Sequence, residues 1–174
     1  MHEDRTKDFL DFARTRAAHL FRSACLLTGG DTHLAEDLVQ ETLGKLYVTW
    51  WRVSRVGNPA GYAQTVLVRT FLSHRRRRSS GESPTGELPD VPAGAGGSDS
   101  DTALLRLTLL DALARLAPKD RAVVVLRYWE DRSIEETADA MRVSSSAVRS
   151  RSVRALARLR ELLGDSLAEL VSSH

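Results

Sequence analysis

A chain of 174 residues with 42% hydrophobic and 28% charged residues has the composition of a globular protein, which excludes a wholly disordered chain, and its length suits one ordinary domain or two small ones. The formal net charge of +2 conceals a segregation of sign: His74-Arg75-Arg76-Arg77-Arg78 is a basic block, the segment after it to Asp101 has acids and no Lys or Arg, and arginines crowd the C-terminal part. The longest apolar stretch, Ala122 to Leu126, is far short of the roughly 20 residues a bilayer span needs, and the start MHEDRTKDF has no apolar signal region, so no membrane insertion and a cytoplasmic location are expected.

From Asp8 to Thr28, Phe9, Ala13, Ala17, Leu20, Phe21, Ala24 and Leu27 recur at three- and four-residue spacing, which predicts a helix stopped by Gly29-Gly30. Cys25 lies in that run. As the single cysteine it excludes an internal disulfide and any Cys-rich zinc site, and it reads as a buried structural thiol. The five histidines are scattered with no pair at i, i+4, so neither a metal nor a cofactor is expected. Asp31 or Thr32 can cap a second helix with the stripe Leu34, Leu38, Val39, Leu43, Leu46, Tyr47 and Trp50, ending before Gly57-Asn58-Pro59. A third runs from about Pro59 to Arg77, anchored by Tyr62, Val66, Leu67 and Phe71.

Ser79 to Asp101, SSGESPTGELPDVPAGAGGSDSD, is a linker by composition, and a flexible coil of that length has ends about 25 to 30 Å apart on average. Beyond it, Thr102 to Leu116 carries Leu105, Leu109, Leu113 and Leu116, and Pro118 opens a helix through Val123, Val124, Leu126 and Trp129. Nothing in the chain alternates as strand. The expected fold class is all-α.

Ser133-Ile134-Glu135-Glu136 has the form of a capping box and starts a helix that can run only to about Met141, because the Ser144-Ser145-Ser146 cluster caps another start. Two helices joined by so short a connection, with Ala138, Met141, Val143 and Val148 between them, form a helix-turn-helix. The second, Ser145 to Leu163, has an inner stripe of Val148, Ala155, Leu156, Leu159 and Leu163. Its outer face carries Ser145, Ser146, Arg149, Ser150, Arg151, Arg154 and Arg158, donors suited to guanine edges and phosphates in a major groove.

The stretches Leu116-Ala117-Pro118 through Arg121, Leu126-Arg127-Tyr128, Ser133 to Ala138 and Ala147-Val148-Arg149-Ser150-Arg151 resemble the −35-binding domain of bacterial RNA polymerase sigma factors. Ala35-Glu36-Asp37-Leu38-Val39-Gln40-Glu41-Thr42 resembles the family helix that docks on the clamp of the polymerase largest subunit. In this order, the two resemble an extracytoplasmic-function (ECF, group 4) sigma factor of the sigma-70 family, of the short sigma-E-like kind common in actinobacteria. The resemblance covers roughly Asp8 to Leu163, the linker excepted. It implies a sigma2-like helical bundle over 1–78, which binds core polymerase and recognises and melts the −10 element. A flexible linker over 79–101 would join it to a sigma4-like helix-turn-helix domain over 102–174, which reads the −35 element. The implied partners are core RNA polymerase, through its beta-prime clamp and beta flap, promoter DNA both double-stranded and melted, and an anti-sigma factor. The implied protein is not an enzyme.

On the second helix Glu36, Asp37, Gln40 and Glu41 share a face opposite the apolar stripe and make the expected polymerase contact. For the −10 element the expected residues are Trp51, Val53 and Asn58, around the loop where the resemblance places a pocket for a flipped base, with Arg69, Arg75, Arg76 and Arg77 on phosphates. Three positions depart from the family pattern. Many members have Asn and Asp where this chain has Arg69 and Ser73, and Gly at the turn where it has Arg142, a residue for which positive φ is costly.

Two other functions are weaker. A stand-alone helix-turn-helix regulator needs a ligand pocket or dimer face at the N-terminus, where this chain offers an acidic helix. A nuclease holding a metal on Glu36, Asp37 and Glu41 lacks a His base or further carboxylates to complete the site.

Overall fold

A computed structural model describes residues 1–79 and 100–172. Helices α1 (His2–Leu27), α2 (Thr32–Val48), α3 (Trp50–Val53) and α4 (Pro59–Ser79) form the N-terminal unit. The C-terminal unit holds α5 (Ser100–Ala114), α6 (Pro118–Val124) with a π-helical turn (Val125–Trp129), α7 (Ile134–Met141) and α8 (Ser145–Ser172). Every regular element among the described residues is helical, as the sequence periodicity predicts. Residues 80–99, the body of the expected linker, lie outside the described residues.

Local chemistry sets the element ends. The polar start from His2 joins α1, with Glu3 and Asp4 in its positive first turn. Asp31 caps α2 by accepting from the Leu34 amide at 3.1 Å. The second predicted helix breaks at Thr49, whose hydroxyl donates back to the Lys45 carbonyl at 3.1 Å, a bond that bends helices, and Trp50 restarts it as α3. From Val125 the helix widens into the π turn, where the Glu130 amide bonds the Val125 carbonyl at 2.9 Å.

Phe9, Leu20 and Leu27 of α1, Leu38 and Leu46 of α2, Trp50 and Val53 of α3, and Leu67 and Phe71 of α4 are buried together. Trp50 packs edge-on to Phe9 at 5.5 Å and donates to Asp8 at 2.9 Å, satisfying its indole N–H. Leu126, Ala138, Met141 and Val148 fill the helix-turn-helix, while Leu113, Leu116, Ala155 and Leu159 join α5 to α8. Four residues expected on apolar helical stripes are exposed: Tyr47, Leu105, Leu109 and Trp129. Leu105 and Leu109 are left in solvent because α5 is buried only near its C-terminal end, at Ala112 and Leu113.

The two units pack against each other and share one core. Gly29 makes this possible: its φ of +66° suits a residue without Cβ, and a Cβ there would stand 2.5 Å from the Ala114 Cβ. Arg121, 2% exposed, ties the seam from within. Its guanidinium donates to the carbonyls of Leu113, Ala114 and Leu116 around the end of α5, and to that of Leu27 at the end of α1 at 2.6 Å. The Leu27, Leu113 and Ala114 carbonyls belong to helix ends, where acceptors outnumber amides; Leu113 also accepts from the Leu116 amide at 3.1 Å, and the cation adds a donor to each of the four. Burial lowers the Arg121 pKa to about 10, with repulsion from Arg75 adding to it, which still leaves the side chain charged at neutral pH.

Candidate DNA-reading and partner-binding surfaces

The helix-turn-helix forms as its residues dictate. Ser133 accepts from the Glu136 amide at 3.0 Å and Glu136 accepts from the Ser133 amide at 3.1 Å, the reciprocal capping box. The turn after α7 does require a left-handed residue, and Arg142 supplies it at φ 57°, ψ 46°. Ser144 then accepts from the Ala147 amide at 3.1 Å and starts α8.

On α8, Val148, Ala155 and Leu159 face inward, and Ser146, Arg149, Ser150, Arg154 and Arg158 are exposed. Ser145 and Arg151 are half-buried. The arginines divide. Arg149 has only a 3.9 Å approach to Glu135, and Arg158 a 3.3 Å pair with Glu161, both at the exposed surface. Arg151 and Arg154 converge on Asp120 of α6, a carboxylate whose side chain is 8% exposed. Burial alone would raise the Asp120 pKa, but hydrogen bonds and charge from Arg154 and Arg151 outweigh it and hold the carboxyl below its ordinary value. Val153, 72% exposed amid these polar residues, was not anticipated from sequence.

On α2, Glu36, Asp37 and Gln40 are exposed and Glu41 is half-buried. Glu41 lies 3.4 Å from Lys45 and 3.8 Å from Arg77, so the acidic face touches the basic end of α4. Both pairs are exposed and stabilise little, about 0 to 1 kcal/mol each.

The residues expected at the −10 strand are not all on the surface. Trp51 is 53% exposed, and Tyr47 and Val48 a few residues before it are exposed as well, while Trp50 is core. Asn58 is exposed but also caps α4, accepting from the Gly61 amide at 3.0 Å. Val53, expected as a contact, is 1% exposed; an aliphatic side chain at the inward position of α3 packs in the core, and it supports the loop without reaching its surface. Arg69, expected on a phosphate, turns into the seam. Its Nε donates to the Ala140 carbonyl at 2.9 Å and its Nη2 to that of Asp139 at 3.2 Å, near the end of α7. Arg76 donates to Ser73 at 3.4 Å, and both Arg76 and Arg77 are exposed near the end of α4, with Arg75 half-buried.

The seam continues through residues that sequence reasoning missed. Arg132 donates to Thr65 at 2.7 Å and to the Gly61 carbonyl at 2.6 Å. Glu130 accepts from Ser23 at 2.8 Å and lies 2.9 Å from His19, whose ring stacks on Trp129. Beside them a cavity of about 510 Å³ is lined by Arg16, Asn58, Gln64, Glu130 and Arg132, next to the loop expected to meet DNA. Among the described residues no group of His, Cys, Asp or Glu could hold a metal, and no helix is long and apolar enough to cross a membrane.

Residues 8–81 match the family description Sigma-70 region 2, and residues 112–161 match Sigma-70, region 4. The chain is 41% identical over 157 residues to the RNA polymerase sigma-E factor of Streptomyces coelicolor, covering 90% of this chain and 86% of that one. It is 33% identical to the ECF RNA polymerase sigma factor SigL of Mycobacterium tuberculosis, covering 80% and 81%. Among solved structures its fold is similar to that of the sigma factor RpoE of Bartonella quintana, crystallised with the anti-sigma factor NepR, at a TM-score of 0.63 and 24% identity over 91% of this chain and 98% of the other. Two family regions in the expected order, joined to surfaces of opposite charge, place the chain in the sigma-70 family as an ECF RNA polymerase sigma factor, a protein that directs promoter-specific initiation of transcription.

Proposed function

We propose a division of labour among named residues. Glu36, Asp37, Gln40 and Glu41 dock on the beta-prime clamp, and the C-terminal domain engages the beta flap. Ser146, Arg149, Ser150 and Arg154 enter the major groove of the −35 element, with Ser145, Arg151 and Arg158 at its margins. Trp51 and Asn58 meet the melted −10 strand, and Arg75, Arg76 and Arg77 hold its phosphates. The observation that carries this reading is the exposed arginine and serine face of α8, set behind a capped α7 and a left-handed turn. Val153, at the centre of that face, suits the methyl group of a thymine.

The domain plan, a sigma2-like unit to residue 78, a linker over 79–101 and a sigma4-like unit from 102, supplies the two-point reach this requires. In the packed arrangement Arg69 and Arg132 are committed to the seam, so reading both elements at once requires the units to part. The protein performs no covalent chemistry and works in the cytoplasm with core polymerase. An anti-sigma factor is its further partner, as NepR is for RpoE. The stand-alone regulator is not favoured, because region 2 matches residues 8–81, all of the N-terminal unit but the start of α1.

The test is in vitro transcription with purified core polymerase on a genomic promoter library. Wild-type chain should give promoter-specific transcripts, and Arg149→Ala should abolish dependence on the −35 element while core binding persists. Absence of any specific transcript, together with no binding to core, would overturn the reading.

A further inference from the structure

Asp120 is the third residue of α6, behind Ala117 as N-cap and Pro118 as the first helical residue, where a carboxylate is favoured by the helix dipole. Its side chain is 8% exposed, and it accepts its side-chain hydrogen bonds from α8. Arg154 reaches it with two donors, Nε to Oδ2 at 3.1 Å and Nη2 to Oδ1 at 3.0 Å. Arg151 adds Nη1 to Oδ1 at 2.9 Å. Yet Arg154 remains 62% exposed, whereas Arg151 is 25% exposed. The carboxylate therefore holds one edge of the Arg154 guanidinium and leaves its outer end in solvent. That end lies on the same side of α8 as Ser150, one turn earlier.

Resting on the reading of α8 as the −35 helix, we propose that Asp120 is a positioning residue for promoter recognition. It fixes Arg154 so that the outer Nη1–Nη2 end forks onto a guanine of the −35 element, with Arg151 as the strut that completes the clamp. An arginine is a rotamer-rich side chain, and one held before DNA arrives loses little freedom on docking. A fixed planar fork also matches guanine O6 and N7, while a loose one finds phosphates anywhere on the duplex. The clamp has a second consequence. Two guanidinium charges face one carboxylate, so this flank of α8 presents a net single positive charge, which restrains sequence-independent binding.

This account gives Asp120→Asn two opposite effects. Holoenzyme carrying it should lose about tenfold of its discrimination at one −35 base pair, read from initiation on all single-base-pair variants of a promoter. Affinity of the free chain for non-promoter duplex should rise, with the slope of log K against log salt steeper by about 0.9. A role confined to holding the fold would lower specific and non-specific binding together. Arg154→Lys, at an exposed position that tolerates change, should lose discrimination at the same base pair with the salt slope unchanged. Asp120→Asn added to Arg154→Lys should cost no further discrimination there. Asp120→Glu should restore part of it. An unchanged base-pair profile in both Asp120→Asn and Arg154→Lys, in a holoenzyme whose wild type remains promoter-specific, overturns the clamp alone. A wild type without promoter specificity overturns the reading of α8.

Discussion

The arginines of α8 and those of the seam are the same side chain put to opposite uses. Arg149, Arg154 and Arg158 stand at the surface, where their side-chain partners are carboxylates and part of each guanidinium meets solvent. Arg69 and Arg121 reach carbonyls at helix ends, and Arg132 pairs with Thr65 and Gly61. What separates them is local demand. A helix ends with unpaired carbonyls, and where such an end is buried a guanidinium nearby is drawn in, whatever its sequence neighbours suggest. Arg69 shows the rule most plainly: it precedes a basic block that looks ready for phosphate, but the end of α7 lies within its reach.

The largest break in that comparison is Arg121→Met. It takes the guanidinium donor from the carbonyls of Leu27, Leu113, Ala114 and Leu116 and should cost about 3 to 5 kcal/mol, measured by urea unfolding. Gly29→Ala attacks the same seam sterically. A methyl 2.5 Å from the Ala114 Cβ, at positive φ, should cost about 2 kcal/mol or more and lower the Tm. On the opposite kind of surface, Asp37→Ala with Glu41→Ala should leave stability nearly unchanged and weaken binding to core polymerase about tenfold, or 1.4 kcal/mol, in a competition assay. Arg142→Gly should stabilise by about 0.5 kcal/mol, since the left-handed turn suits glycine and the lost arginine makes no seam bond.

Asp120 sharpens the comparison by pH. Its folded pKa lies below the unfolded one, so the clamp contributes stability above the ordinary carboxylate range and loses it as pH falls through the depressed value. Acid unfolding of Asp120→Asn should therefore begin less steeply than that of wild type, with the two curves converging at the lowest pH.

The helices, the capping box and the inner stripe of α8 were legible because each depends on neighbours within a turn or two. The need for positive φ at residue 142 was legible as a conflict, and Arg142 absorbs it. What was not legible depends on long-range placement. Val53 has a loop-like neighbourhood in sequence but an inward position in α3, and nothing local reports that. The break at Thr49 could have been suspected from a β-branched hydroxyl residue late in a helix. Arg121 carried a usable signal: a charge before Ala-Val-Val-Val at core spacing must be buried with partners or break the pattern. Asp120 and Arg154, 34 residues apart, carried none.

The approach of Gly29 to Ala114 has a geometric consequence for how the units separate. Where side chains interleave, two bodies can slide by small rotamer adjustments. At Gly29 a bare turn meets the Ala114 methyl, which has no rotamer to absorb a shift, while the neighbouring Gly30 lies against the Leu110 side chain. The contact acts as a locating pin. At that point the packed units tolerate little sliding, and a bulkier residue at 114 should disfavour the packed arrangement without altering any surface assigned to DNA or polymerase.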